Sequence, residues 1–287
     1  MDLIGWLAPW EFSPTLVLAF LVGGGLFLRG SQVHKVSIAR QAFFWFGLIL
    51  LYLSLHTRLD YYAERMFFIH RIQHLVLHHL GPLLIMGAYP GQVIRAGLPL
   101  SWRIRLRNFR LTGAGGALVA LLTHKILIPL LFVFFVLVWL VPTVQFYSML
   151  DWRLYRFMNW SVVASGFLYW NLVLDRRPHP PAAMSPGGRI LSPVFTMTPQ
   201  VLAGAIITFT GHDLYPVFDL CGRAIPGVTA LTDQTIGGLI MWVPAGMIEI
   251  FGLMFALATF MRLSGRGRLP DKRALARAKQ AVTAATI

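Results

Sequence analysis

Apolar residues arrive along this chain in blocks of roughly 20, each long enough as a helix to cross about 30 Å of hydrocarbon. Seven such blocks read as helices at 13–28, 41–56, 66–87, 117–140, 157–174, 190–211 and 235–262. The blocks are apolar all round, whereas the strands of a membrane barrel alternate apolar and polar residues, so barrel architectures are excluded. Prolines inside the blocks (Pro82, Pro129, Pro193, Pro199 and Pro244) are tolerated where neighbouring helices satisfy the freed carbonyls. The expected fold is all-α, a polytopic integral membrane bundle of about seven helices. No internal repeat is visible. We divide the chain into a transmembrane domain, 1–262, and a basic tail, 263–287.

The connections set the orientation. Arg29, Lys35 and Arg40 follow the first block; Arg95, Arg103, Arg105, Arg107 and Arg110 follow the third; Arg176, Arg177 and Arg189 follow the fifth; and the tail is basic throughout. The alternate connections hold few cations, among them Arg58, Arg65, Arg153 and Arg223, and carry acids such as Asp60, Glu64, Asp213 and Asp233. Retention of Lys and Arg in the cytoplasm then puts the N-terminus outside and the C-terminus inside. The first block lacks a basic n-region and a small-residue cleavage site, and is read as a retained helix. Within 102–111, Trp102, Ile104, Leu106, Phe109 and Leu111 interleave with arginines, which suits a segment lying on a lipid surface.

Composition narrows the class. Only 13% of residues are charged and 56% are hydrophobic, while soluble domains carry about 25% charged residues. A formal charge of +14 suggests nucleic acid at first sight, but the cations sit between apolar blocks and form no single patch. We expect a lipid bilayer as partner and no nucleic acid. One cysteine, Cys221, excludes an internal disulfide and any cysteine-based zinc cluster.

Candidate chemistry concentrates in the third block. Residues four apart on a helix drift by only about 40°, so Met66, His70, His74 and His78 form one stripe, while His79 is rotated by about 140° from His74. Imidazoles inside a span are costly unless partnered and mark function. His56, Asp60 and Glu64 precede the stripe, His212 and Asp213 end the sixth block, Asp233 opens the seventh, and Met241 lies about two turns further on. Histidine, carboxylate and thioether together suit copper in either oxidation state. The competing readings are a haem held by two of these histidines as axial ligands, and a structural subunit whose histidines are hydrogen-bond partners. Asp60, Glu64 and Asp233 have Arg58, Arg65 and Arg71 as alternative ion-pair partners. Lys125 and Glu249 are expected to pair with each other beside His124. No nucleophile stands with a base and an orienting acid, so we expect no enzyme.

At these residues the sequence resembles the CtaG-type cytochrome c oxidase assembly factors. The resemblance rests on Asp60 followed by His70-x-x-Gln73-His74, on Gly81-Pro82-Leu83-Leu84 and Gly87-Ala88-Tyr89-Pro90, on Gly166-Phe167-Leu168-Tyr169-Trp170, and on Asp233-Gln234-x-x-Gly237-Gly238-x-x-Met241-Trp242. It implies a multi-pass protein of the bacterial inner (cytoplasmic) membrane that serves assembly of a haem–copper terminal oxidase. The implied partners are haem–copper oxidase subunits or a copper chaperone. On this reading copper is held or passed at the periplasmic side by His70 and His74, with His56, Asp60, His78 and Asp233 assisting. Where many such proteins carry Trp-His-x-Pro and Glu-His, this chain reads Trp139-Leu140-Val141-Pro142 and Met158-Asn159.

Overall fold

In the computed structural model, residues 9–267 are described, and among them helix dominates and no strand forms. Asp2 and most of the expected 263–287 tail lie outside the described residues. The first two helices, α1 (Pro14–Val33) and α2 (Ile38–His56), are long and apolar. A short α3 (Arg58–Ala63) leads into a segment that runs without a break through α4 (Phe67–His74), a π-helical turn π1 (Leu75–Leu80) and α5 (Gly81–Gly87). Three shorter helices follow: α6 (Pro90–Gly97), α7 (Leu100–Leu111) and α8 (Gly113–Leu122). Then come α9 (Leu127–Val138), α10 (Pro142–Leu150), α11 (Trp152–Val173) and α12 (Pro186–Phe209). The last helices are α13 (Val217–Leu220), α14 (Ala230–Trp242) and α15 (Pro244–Gly265).

The α4–π1–α5 segment is the axis of the bundle. It is enclosed by α2, α11, α14 and α15, and α12 packs along both α14 and α15. Outward faces carry large apolar side chains such as Phe12, Leu21, Phe195, Ile206 and Phe209, each more than 60% exposed. Apolar surface this extensive is stable against acyl chains and not against water. Helix α7 fully buries no residue, and apart from half-buried Arg103 its arginines and aromatic side chains are exposed.

The sequence predicts seven spans; among the described residues four helices are long and apolar enough to cross a membrane, Pro14–Val33, Ile38–His56, Pro186–Phe209 and Ala230–Gly265. A fifth is added if α8 and α9, bent by 57° at their junction, count as one span. The predicted 66–87 block is helical throughout, but the π turn interrupts it and His70, Arg71, Gln73 and His74 make it polar. The predicted 157–174 block falls almost wholly within α11, which carries Arg153, Arg156 and Asn159. The polar groups of the first and Asn159 of the second are buried in protein, whereas Arg153 and Arg156 are exposed near the start of α11.

The predicted 117–140 block is broken at 123–126. Pro129 accounts for the break, since its ring opposes the carbonyl four residues earlier, that of Lys125. His124 turns back to accept from Leu127 N at 3.1 Å and so caps α9, and Lys125 is exposed. The expected Lys125–Glu249 pair does not form. Glu249 accepts instead from Gln200 Nε2 at 2.6 Å and Thr196 Oγ1 at 2.7 Å.

Candidate functional site

Helix α4 lacks a cap of its own, because its N-cap position is Met66, whose side chain makes no capping bond. The cap comes from another helix. Asp233, on α14, accepts from Phe67 N at 3.0 Å through Oδ2 and from Phe68 N at 2.8 Å through Oδ1, and Arg223 pairs with the same carboxylate. Gln234 clamps the end of α12, donating to the carbonyls of Ile207 (3.3 Å) and His212 (3.1 Å) and accepting from Leu214 N at 2.8 Å. Gly237 completes the contact: a Cβ there would fall on the Phe67 ring. The Asp-Gln-x-x-Gly-Gly block thus fixes the start of α4 and, with it, the height of His70 and His74.

Those two imidazoles share one face, as the four-residue spacing requires. Their ring centroids are 4.4 Å apart, with the planes tilted by 36°. His70 is fully buried and neither of its ring nitrogens has a hydrogen-bond partner; the Ala63 carbonyl approaches without completing a bond. His74 Nε2 is also without a partner, and Asn159 approaches it from α11 with its own Oδ1 unsatisfied. Buried nitrogens in such a state are costly. Each neutral ring carries one lone-pair nitrogen, so the two imidazoles on adjacent turns form an arrangement able to receive an electron-pair acceptor.

Below His74 the register changes. Pro82 has no N–H to offer the His78 carbonyl four residues earlier, and the turn ahead of it widens so that Gly81 N reaches back to Val76 O. One wide turn brings His78 and His79 together, against the expectation that His79 points elsewhere. His78 Nδ1 lies 3.3 Å from His79 Nε2, and His78 stacks on Phe132 with centroids 3.9 Å apart. Ser165 Oγ donates its single proton to Val162 O at 3.1 Å, so it accepts from His78 Nε2 at 3.1 Å. His78 Nδ1 then accepts from His79 Nε2, which leaves His79 Nδ1 facing Glu249 Oε1 at 3.7 Å.

A cavity of about 30 Å³ lies alongside, with Arg71, His74, His78, His79, Gln200 and Met241 in its wall. Arg71 is 3% exposed, its guanidinium rests over the Phe67 ring at 5.1 Å, and its Nε and Nη2 have no partner.

The structure leaves other predicted site residues apart from this group. His56 Nε2 accepts from Ser13 N at 3.1 Å, holding the segment before α1, and its Nδ1 bonds Tyr52 Oη of the same helix at 2.9 Å, so both nitrogens are occupied. Asp60 Oδ1 accepts from Gln73 Nε2 at 2.6 Å and Tyr155 Oη at 2.7 Å. Asp233 pairs with Arg223 and not with Arg58, Arg65 or Arg71. Met66 packs with Ala63 and Ile69 and stands outside the stripe. Among the described residues no three His, Cys, Asp or Glu side chains converge as a complete ligand set. His70 and His74 remain as a pair, with Met241 in the wall of the cavity that His74 also lines.

Gln200, Arg71 and Asn159 also stand at this group, and none of them is a sequence-predicted site residue. The rule that singled out the histidines, the cost of a polar group within an apolar block, applies to all three. Glu64, in the connection ahead of α4, is pushed up to about 7, first by burial and then by the negative charges of Asp60 and Glu11, against the pull of Arg65. The folded chain therefore keeps a proton that the unfolded chain releases above its usual 4.5. Stability from this group is present below that pH and is lost as pH rises through about 7. Unfolding midpoints are expected to be higher at about pH 5 than at about pH 8, and Glu64→Gln is expected to narrow the gap; an unchanged gap refutes the assignment.

No individually curated protein and no solved structure matches the chain. Residues 19–263 match the sequence model of a family described as cytochrome c oxidase caa3 assembly factor.

Proposed function

Since this chain belongs to the cytochrome c oxidase caa3 assembly factors, we propose that it holds or passes copper during assembly of a haem–copper oxidase. On this proposal it acts without catalysis, as a seven-span protein of the bacterial inner membrane, N-terminus outside and C-terminus inside. The observation that carries the reading is the His70–His74 pair: two buried imidazoles 4.4 Å apart whose unpartnered nitrogens lie at the core of the bundle. The donor set also fits. Neutral imidazoles, with Met241 as a thioether in the cavity wall and no carboxylate there among the described residues, suit a soft, singly charged ion.

His70 and His74 hold the ion, and Asn159 orients His74. Asp233 keeps both imidazoles at their depth by capping α4. Copper, when bound, supplies the metal that the oxidase requires. His56 and Asp60 support the scaffold, and an oxidase subunit or a copper chaperone is the partner.

The test is copper(I) binding by the purified protein against a competing chelator. The wild type is expected to bind one copper per chain, and His70→Gln and His74→Gln to weaken binding by about tenfold or more, equivalent to about 1.4 kcal/mol. His179→Gln, in an exposed turn, serves as control. Copper added to spheroplasts is expected to load the site and copper added to inside-out vesicles is not. Equal binding by all variants defeats the proposal, and a Soret band in the purified protein replaces it with haem.

A further inference from the structure

A guanidinium is charged at every accessible pH, and in a membrane interior an uncompensated charge demands a partner. Arg71 has none that compensates it. Its Nε and Nη2 make no hydrogen bond, and the Phe67 ring offers only its face. The buried carboxylates of Asp233 and Glu249 are already committed: Asp233 to Arg223 and the start of α4, Glu249 to Thr196 and Gln200. Among the described residues no acidic side chain lines the cavity that Arg71 faces. One more unpartnered nitrogen, His74 Nε2, belongs to a residue of the same wall and donates in the appropriate tautomer. Three buried nitrogens without partners thus belong to residues around one small space.

We propose that this cavity binds a small monovalent anion, of the size of a halide or hydroxide, on the Arg71 guanidinium. The size follows from the space: about 30 Å³ holds one monatomic ion or about two waters. The sign follows from the wall, which offers a fixed positive charge and N–H donors. The Gln200 side chain adds no charge, and its Nε2 is occupied by Glu249 and the Thr196 carbonyl. The existence of the anion site stands on Arg71 alone. Its role rests on the copper reading: an ion held by His70 and His74 has only neutral donors, and an anion on Arg71 supplies the negative charge that they lack.

Bromide is the probe, titrated into the metal-free full-length protein in detergent with gluconate as the balancing anion. Saturable broadening of the bromide NMR line and a parallel rise in the unfolding midpoint are expected for the wild type. Arg71→Gln is expected to abolish both, and Arg71→Lys, which keeps the charge, to retain saturable binding weakened severalfold. Should Arg71→Gln fail to fold, His74→Leu keeps the guanidinium and removes the ring nitrogen in the wall, with weaker bromide binding expected. Absence of saturable broadening in the wild type overturns the proposal, as does equal broadening in Arg71→Gln. Because no metal is present, the result is independent of copper loading: bromide binding without copper binding defeats the copper reading alone, and the converse defeats the anion alone.

Discussion

Replacing Asp233 with alanine is expected to destabilise the protein by about 3–5 kcal/mol, the usual cost of removing one member of a buried ion pair. Three groups lose their acceptor at once. The Phe67 and Phe68 amides are the first two of α4, and Arg223, with 13% of its side chain exposed, loses its fully buried counter-charge. Exposed Asp219 and the more distant Asp213, 3.9 Å away, also pair with Arg223 and are poor substitutes for the buried carboxylate. Asp233→Asn keeps one oxygen for the cap and loses the charge, and is expected to fall between wild type and alanine. Thermal unfolding in detergent, read beside copper stoichiometry, separates cap from ligand. A residue that only caps gives variants of low stability that still bind copper when folded; a ligand gives a stable protein that does not. An alanine variant as stable as the wild type ends the capping assignment.

Gly166→Ala is the second substitution expected to act strongly, at about 3 kcal/mol, the upper part of the overpacking range. A Cβ at this position falls on the His78 carbonyl, with Pro82 Cγ at 3.0 Å on its other side. A carbonyl within a helix has no rotamer by which to withdraw. α11 must therefore move away from the wide turn, and the His78–Ser165 bond goes with it. Gly187→Ala provides the control, since nothing lies within 4 Å of its added methyl. The measurement is the unfolding midpoint of both variants. If the two are equal, α11 does not touch the turn as described.

The helices and their interior stripe were legible in the sequence because both follow from periodicity. Blocks of apolar residues gave α1, α2, α12 and the α14–α15 pair, and the four-residue spacing put His70 beside His74. Position within the stripe failed after His74. The run Leu75-Val-Leu-His-His-Leu80 has ordinary helical composition, and nothing in it announces a π turn. The signal stood two residues later, in Pro82, whose missing donor leaves the preceding carbonyls free. Pro129 carried the same kind of information for the break at 123–126, which turns Lys125 outward and away from Glu249. Partner choice was less legible still. Asp233, Asp60 and His56 carry the chemistry of metal ligands, and only their tertiary neighbours assign them to a helix cap, a glutamine–tyrosine pair and a backbone amide.

The wide turn at Leu75–Leu80 also makes the axial helix a joint between two phases. Upstream of it, side chains are in step with α14; downstream, with α2 and α11. One turn of this kind holds five residues in about the rotation of four, so removing one residue restores ordinary winding and leaves everything beyond it facing as before. Gly81 would then keep Leu51, and Leu83 would keep Trp170 and Gly252, with His70 and His74 where they were. Chain length between His74 and Pro82 can therefore lose one residue without moving either flank, whereas a second loss rotates everything beyond by about 100°.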